Sequence, residues 1–115
     1  MTMQASTTAQ AFLEQDLLSK SPEDLLIATY DLAIRGCRRQ NRSLVRDVLT
    51  ELIAALDFNQ PVAGNFLVLY DYALREVREN RFEQPEKILT GLRDAWKEAF
   101  ALQANPAREA AEATR

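Results

Sequence analysis

Apolar positions recur at helical spacing almost throughout this chain, and alternating β-branched runs are missing. One stretch, Asn65 to Arg75, carries more apolar surface than a short surface helix needs. On a wheel turning about 100° per residue, Val62, Phe66, Leu69, Ala73 and Val77 form one stripe. Ala63, Leu67, Tyr70 and Leu74 widen it to an arc of roughly 160°, where a core-facing helix requires roughly 100°. Val68 and Tyr72 fall beyond that arc, one turn apart, on the side that should be wet. The excess predicts a helix that packs into a bundle and keeps apolar surface for a partner.

The punctuation between apolar stretches divides the chain into helices. Ser21-Pro22-Glu23-Asp24 is a helix start, with a Ser cap, Pro at the first helical position and acids in the positive first turn. That first long helix is expected to reach about Gln40. Asn41 to Ser43 offers a turn and a new cap, and a second helix follows from about Leu44 to Leu56. Pro61 opens a third, ending near Asn80. Glu83-Gln84-Pro85-Glu86 opens a fourth, reaching about Leu102, with Ile88, Leu89, Leu92, Ala95, Trp96, Ala99 and Phe100 on one side. Lys87, Thr90, Asp94, Lys97 and Glu98 take the other. Short links make neighbours antiparallel, so the expected fold is all-α, an up-down-up-down four-helix bundle over residues 21–102. Residues 1–10 read as a mobile N-terminus and 11–20 as a strap or short helix carrying Phe12, Leu13, Leu17 and Leu18. Residues 103–115 read as a frayed tail.

An internal echo runs through this pattern. Tyr30-Asp31-Leu32-Ala33-Ile34-Arg35 is matched forty positions later by Tyr70-Asp71-Tyr72-Ala73-Leu74-Arg75. At the same offset Val48-Leu49-Thr50-Glu51-Leu52 is matched by Ile88-Leu89-Thr90-Gly91-Leu92, and Ala55-Leu56 by Ala95-Trp96. One helical hairpin used twice, with a pseudo-two-fold relation, accounts for both matches.

Composition narrows the function. The 115 residues suit one domain with a real core. A net charge of −3 and a pI near 5.0 argue against a nucleic-acid platform, which needs a clustered basic field. Arg35, Arg38, Arg39 and Arg42 crowd the end of the first helix, where cations suit a helix C-terminus. Cys37 is the one cysteine, which excludes intrachain disulfides, and it shares the stripe of Leu26, Tyr30 and Ala33 as a small core residue. Met1 to Gln10 lacks the basic and apolar regions of a secretory signal, and no apolar run approaches the roughly 20 residues of a membrane span. A reducing cytoplasm is the expected place. Histidine is absent, which removes the commonest general base and the Glu-x-x-His motif of di-iron bundles, and there is no glycine-rich phosphate loop. No catalytic residue, cofactor or metal site is expected.

The polar groups beside apolar surface are Tyr30, Asp31, Tyr70, Asp71 and Tyr72. The tyrosines either cap the core with hydroxyls reaching water or line a groove for an amphipathic helix. Tyr70 and Tyr72 suit both readings, and Tyr30 and Trp96 suit the core. Asp31 and Asp71 are placed to pair with Arg35 and Arg75 one turn on.

Taken in order and spacing, these residues resemble the flagellar secretion chaperone family FliS, from about Ala11 to Phe100. The resemblance rests on Ala11-Phe12 with Leu17, Ser21-Pro22-Glu23-Asp24-Leu25, Tyr30-Asp31, Asn65-Phe66-Leu67-Val68-Leu69-Tyr70-Asp71-Tyr72 and Leu92-Arg93-Asp94-Ala95-Trp96-Lys97-Glu98-Ala99. It implies a cytoplasmic four-helix bundle that binds the disordered C-terminal segment of flagellin, blocks premature polymerisation and keeps the client fit for type III export. It also implies a strap, here Phe12 to Leu17, that covers part of the client groove and helps engage the export gate. Thr29-Tyr30-Asp31-Leu32 stands where the family often has Leu-Tyr-Asp-Gly, and shorter spans between Tyr30 and Asp57 and between Tyr70 and Trp96 trim one end of the bundle.

A client that folds on binding loses roughly 1–2 kcal/mol of backbone entropy per residue ordered, which apolar burial at about 25 cal/mol per Å² must offset. The candidate contacts are Phe12 and Leu17 on the strap, Leu44, Val48 and Ile53 on the second helix, and Leu67, Val68, Tyr70, Tyr72 and Leu74 on the third. The rival reading is a regulatory or structural bundle whose spare surface forms a homodimer; for the chaperone, self-association is expected to be weak.

Overall fold

The computed structural model describes residues 21–104, and among them there are four helices and no strand. We number them α1 (Pro22–Arg38), α2 (Arg42–Ala54), α3 (Ala63–Arg78) and α4 (Glu83–Ala104). The expected positions of Phe12 and Leu17, the strap and the tail from residue 105 on lie outside the described residues.

Local chemistry sets most boundaries. The Ser21 side chain accepts the Asp24 N–H at 3.2 Å, and Pro22 fills the first helical position. Asn41 does the same for α2, accepting the Leu44 N–H at 3.2 Å, so that helix begins two residues earlier than its first apolar residue suggests. Pro61 does not open α3. It lies in the turn before Ala63, and Val62 supplies a cap position with no side-chain hydrogen bond.

Each helix packs against its neighbours in sequence, and α4 closes the ring against α1. The α1–α4 register shows the antiparallel run: Arg38 meets Glu86 at 3.0 Å, Asp31 meets Arg93 at 2.8 Å, and Tyr30 meets Trp96 at 3.2 Å. Asp31 therefore pairs across the bundle with Arg93 instead of one turn along with Arg35. Asp71 does take the local partner, Arg75, at 3.3 Å. The core runs through Tyr30, Ala33, Ile34, Cys37, Val45, Val48, Leu49, Tyr70, Ala73, Val77 and Leu89, all buried.

The forty-residue echo reappears in the backbone. Gln40 and Asn80 both turn left-handed, with φ of 54° and 59°. Around each, the helix is closed by the same two hydrogen bonds. Gln40 and Asn41 N–H donate to the Cys37 and Gly36 carbonyls, as Asn80 and Arg81 N–H donate to those of Val77 and Glu76. Leu49 and Leu89 are both fully buried. Tyr30 and Tyr70 meet hydroxyl to hydroxyl across the bundle, as equivalent residues near a two-fold axis do. The hairpins differ at Gly36, where a Cβ would lie 2.8 Å from Val45 Cγ2, so α1 and α2 approach closely there. They differ again at the far end. Ala54 ends α2, yet its counterpart Asp94 is followed by a further stretch of α4 to Ala104, about 15 Å of extra helix.

Candidate functional site

The bundle has two unlike ends. At one, residues 39–41 and 79–82 connect the helices tightly, and Val45, Val77, Phe82 and Pro85 fill the interior. At the other, residues 55–62 link α2 to α3, and α4 continues to Ala104. A groove of about 220 Å³ opens there. Leu26 comes from α1, Leu52 from α2, Ala55, Leu56 and Val62 from the link, Ala63, Phe66 and Tyr70 from α3, and Trp96 from α4. Asp57 and Gln60 add polar groups from the link.

Tyr70, Phe66 and Trp96 on the lining belong to an aromatic ladder that continues to Phe100. Tyr70 and Phe66 lie one turn apart on α3 with ring centroids 6.0 Å apart. Phe66 stacks on Trp96 of α4 at 5.6 Å, and Trp96 on Phe100 at 5.4 Å, all within 24° of parallel. Offset stacks of this kind contribute about 0.5–1.5 kcal/mol each beyond area burial. Phe66, Trp96 and Phe100 stay only half-buried, so the ladder retains apolar surface to offer.

Beneath the ladder lies a polar core. The Trp96 indole N–H donates to the Tyr30 hydroxyl at 3.2 Å, and that hydroxyl is hydrogen-bonded to Tyr70. Tyr30 is completely buried and Tyr70 is 3% exposed. Burial holds both hydroxyls in the neutral form, raising each above the ordinary tyrosine value. The Cys37 thiol, which does not line the groove, is pushed up to about 12 by desolvation first and by Glu86 second. Neither chemistry is that of a nucleophile at neutral pH. No group of three His, Cys, Asp or Glu that could hold a metal occurs among the described residues, and no described helix is long and apolar enough to cross a membrane.

The ten contact positions expected from the sequence scatter. Of the eight that fall among the described residues, Tyr70 alone lines the groove, and it does so as a buried floor residue. Val48 and Leu74 are core, not spare surface. The reason is geometric. A helix in a four-membered ring packs against two neighbours, so the wide apolar arc of α3 is consumed inside the bundle. Leu44, Ile53 and Leu67 are half-buried, and Leu44 packs over Gly36 near the closed end. Val68, at 66% exposed, and Tyr72, at 39%, do lie on the wet side of α3, away from the groove. Tyr72 Oη donates to Glu76 there at 3.3 Å.

Sequence reasoning passed over Phe66 and Trp96, which it assigned to the core, and the link residues Leu56 and Val62. One signal was available. At the forty-residue offset Trp96 replaces Leu56 just where α4 outlasts α2, so the larger ring stands where its own helix is no longer matched by a partner. No protein-family model matches this chain, and neither does any curated protein or solved structure.

Proposed function

We propose that this chain is a non-enzymatic chaperone that holds an apolar stretch of a disordered client in the groove at the open end of the bundle. The observation that carries the reading is the half-exposed Phe66–Trp96 stack on the lining of an apolar cleft, continued past it by Phe100 stacked on Trp96. At about 220 Å³ the cleft is smaller than the roughly 300–1,000 Å³ of small-molecule sites. It suits a few side chains of a docking helix, whose remaining length would lie along the bundle. The resemblance to FliS makes the client the C-terminal segment of flagellin, kept unpolymerised in the cytoplasm for type III export.

Titrating the chain with the C-terminal peptide of the flagellin from the same genome tests this. Binding at micromolar concentration with one-to-one stoichiometry, a gain of peptide helicity and a shift in Trp96 emission are the expected results. The exposed Val68 and Tyr72 favour a second reading, a homodimer through the outer face of α3. Light scattering separates the two: a monomer that becomes a one-to-one complex supports the chaperone, and a dimer whose mass falls on Val68→Glu supports the rival.

A further inference from the structure

The cluster that joins half-buried Trp96 to the buried Tyr30 and Tyr70 holds one hydrogen more than it can use. It has three donor hydrogens, the indole N–H and two hydroxyls, and two hydrogen bonds join the three groups. One hydroxyl hydrogen is therefore left over whichever way the tyrosines point. If Tyr70 donated to Tyr30, the leftover hydrogen would sit on Tyr30, which is fully buried and lines no part of the groove. If Tyr30 donates to Tyr70, the relay runs from Trp96 through Tyr30 and ends on Tyr70, at the groove floor. Both tyrosines are buried, and an unpaired buried donor is costly. Only the second arrangement leaves the spare hydrogen on the tyrosine that lines the groove, where an occupant can accept it, so that arrangement is favoured.

We propose that the groove selects a peptide segment that brings a neutral carbonyl oxygen to the Tyr70 hydroxyl, flanked by apolar side chains. The inference rests on the reading of the groove as a client site and specifies the client's chemistry. The side chains packed around Tyr70 on the groove floor are apolar, and Gln60 adds its amide from the exposed link. The unspent Tyr70 hydrogen therefore distinguishes an occupant with an acceptor at the floor from a purely hydrocarbon one. A carboxylate is the wrong acceptor: it must be desolvated among Leu26, Leu52 and Phe66, and Asp57 on the groove lining repels it. A backbone carbonyl freed at a helix end, or an Asn or Gln side chain, meets the requirement.

The test uses the full chain and three probes of similar shape: benzylacetone, isopentylbenzene and hydrocinnamate. Binding is followed by ligand-observed NMR and by the resonances of the Trp96 indole. Tyr70→Phe is expected to weaken benzylacetone about five- to tenfold and to leave isopentylbenzene unchanged, with hydrocinnamate the weakest of the three on the wild-type chain. Tyr30→Phe breaks the relay but leaves Tyr70 its own hydrogen, so the ketone's advantage survives in that variant. If isopentylbenzene binds and Tyr70→Phe does not separate it from benzylacetone, ordered water takes the hydrogen and the inference is overturned. If no probe perturbs Trp96, the groove admits no apolar guest, and the client reading falls with the inference.

Discussion

The two ends of this bundle are built from the same repeat and differ in how far each copy of it extends. At the closed end both hairpins finish α1 and α3 with a left-handed residue, Gln40 or Asn80, and turn at once into the next helix. Interior positions there are filled, with Val45, Val77 and Pro85 leaving almost no surface exposed. At the open end the symmetry fails. The second helix stops at Ala54 and gives way to a link, whereas α4 continues to Ala104 with Trp96 and Phe100 on its inner face. The repeated scaffold closes one end, and the unrepeated extension of α4 leaves aromatic surface half-exposed at the other.

If that contrast is right, truncation should cost far more in the filled interior than at the groove. Leu49→Ala, at a fully buried position, is expected to lose about 2–5 kcal/mol in urea unfolding. Leu56→Ala, half-buried on the groove, should lose about 1 kcal/mol while still weakening client binding. Equal losses would erase the distinction between the ends.

Alkaline pH sharpens the comparison because the buried acids lie in different parts of the bundle. Burial favours the neutral form of Cys37, Tyr30 and Tyr70, so the folded chain keeps protons that the unfolded chain releases. Their stabilisation is complete below the unfolded values and declines as pH rises above them. For Cys37, near the closed end, the decline starts near 9.0 and runs to about 12. For the tyrosines beneath the groove it starts near 10.0. Urea midpoints measured against pH should fall first in a phase that Cys37→Ala removes, then in one that Tyr70→Phe reduces.

Two glycines give smaller and opposite effects. Gly36→Ala forces its new methyl against Val45, and overpacking of about 1–3 kcal/mol outweighs the gain in helix propensity. A lower melting temperature with groove binding intact is expected. Gly91 faces open space on α4, so Gly91→Ala should stabilise by up to about 1 kcal/mol, read as a small rise in melting temperature.

The scaffold was legible because it is written in local chemistry. Ser21 with Pro22, Asn41 and the break before Glu83 mark helix boundaries through caps and backbone restrictions that act within a few residues. The forty-residue echo is likewise a property of the string, and Tyr30 and Tyr70 prove to be its meeting point. The site was less legible because its residues are defined by what fails to cover them. Phe66 and Trp96 sit on apolar stripes like any core residue, and only the unequal lengths of α2 and α4 leave them half-exposed. Val48 and Leu74 were misjudged from the same cause in reverse: a wheel shows how wide an apolar arc is, not how many neighbours share it. Asp31 passed over Arg35 for Arg93 because a partner on α4, part-buried and 2.8 Å away, is screened less than a solvated one on the same helix.

The central claim is that binding belongs to the open end. Backbone and indole resonances of the isotope-labelled chain, followed while the flagellin C-terminal peptide is added, test it most directly. The account predicts saturable shifts at Leu56, Phe66, Trp96 and Phe100, with Val68, Tyr72 and the turns at Gln40 and Asn80 unmoved. Shifts confined to Val68 and Tyr72, or none at all, would contradict it.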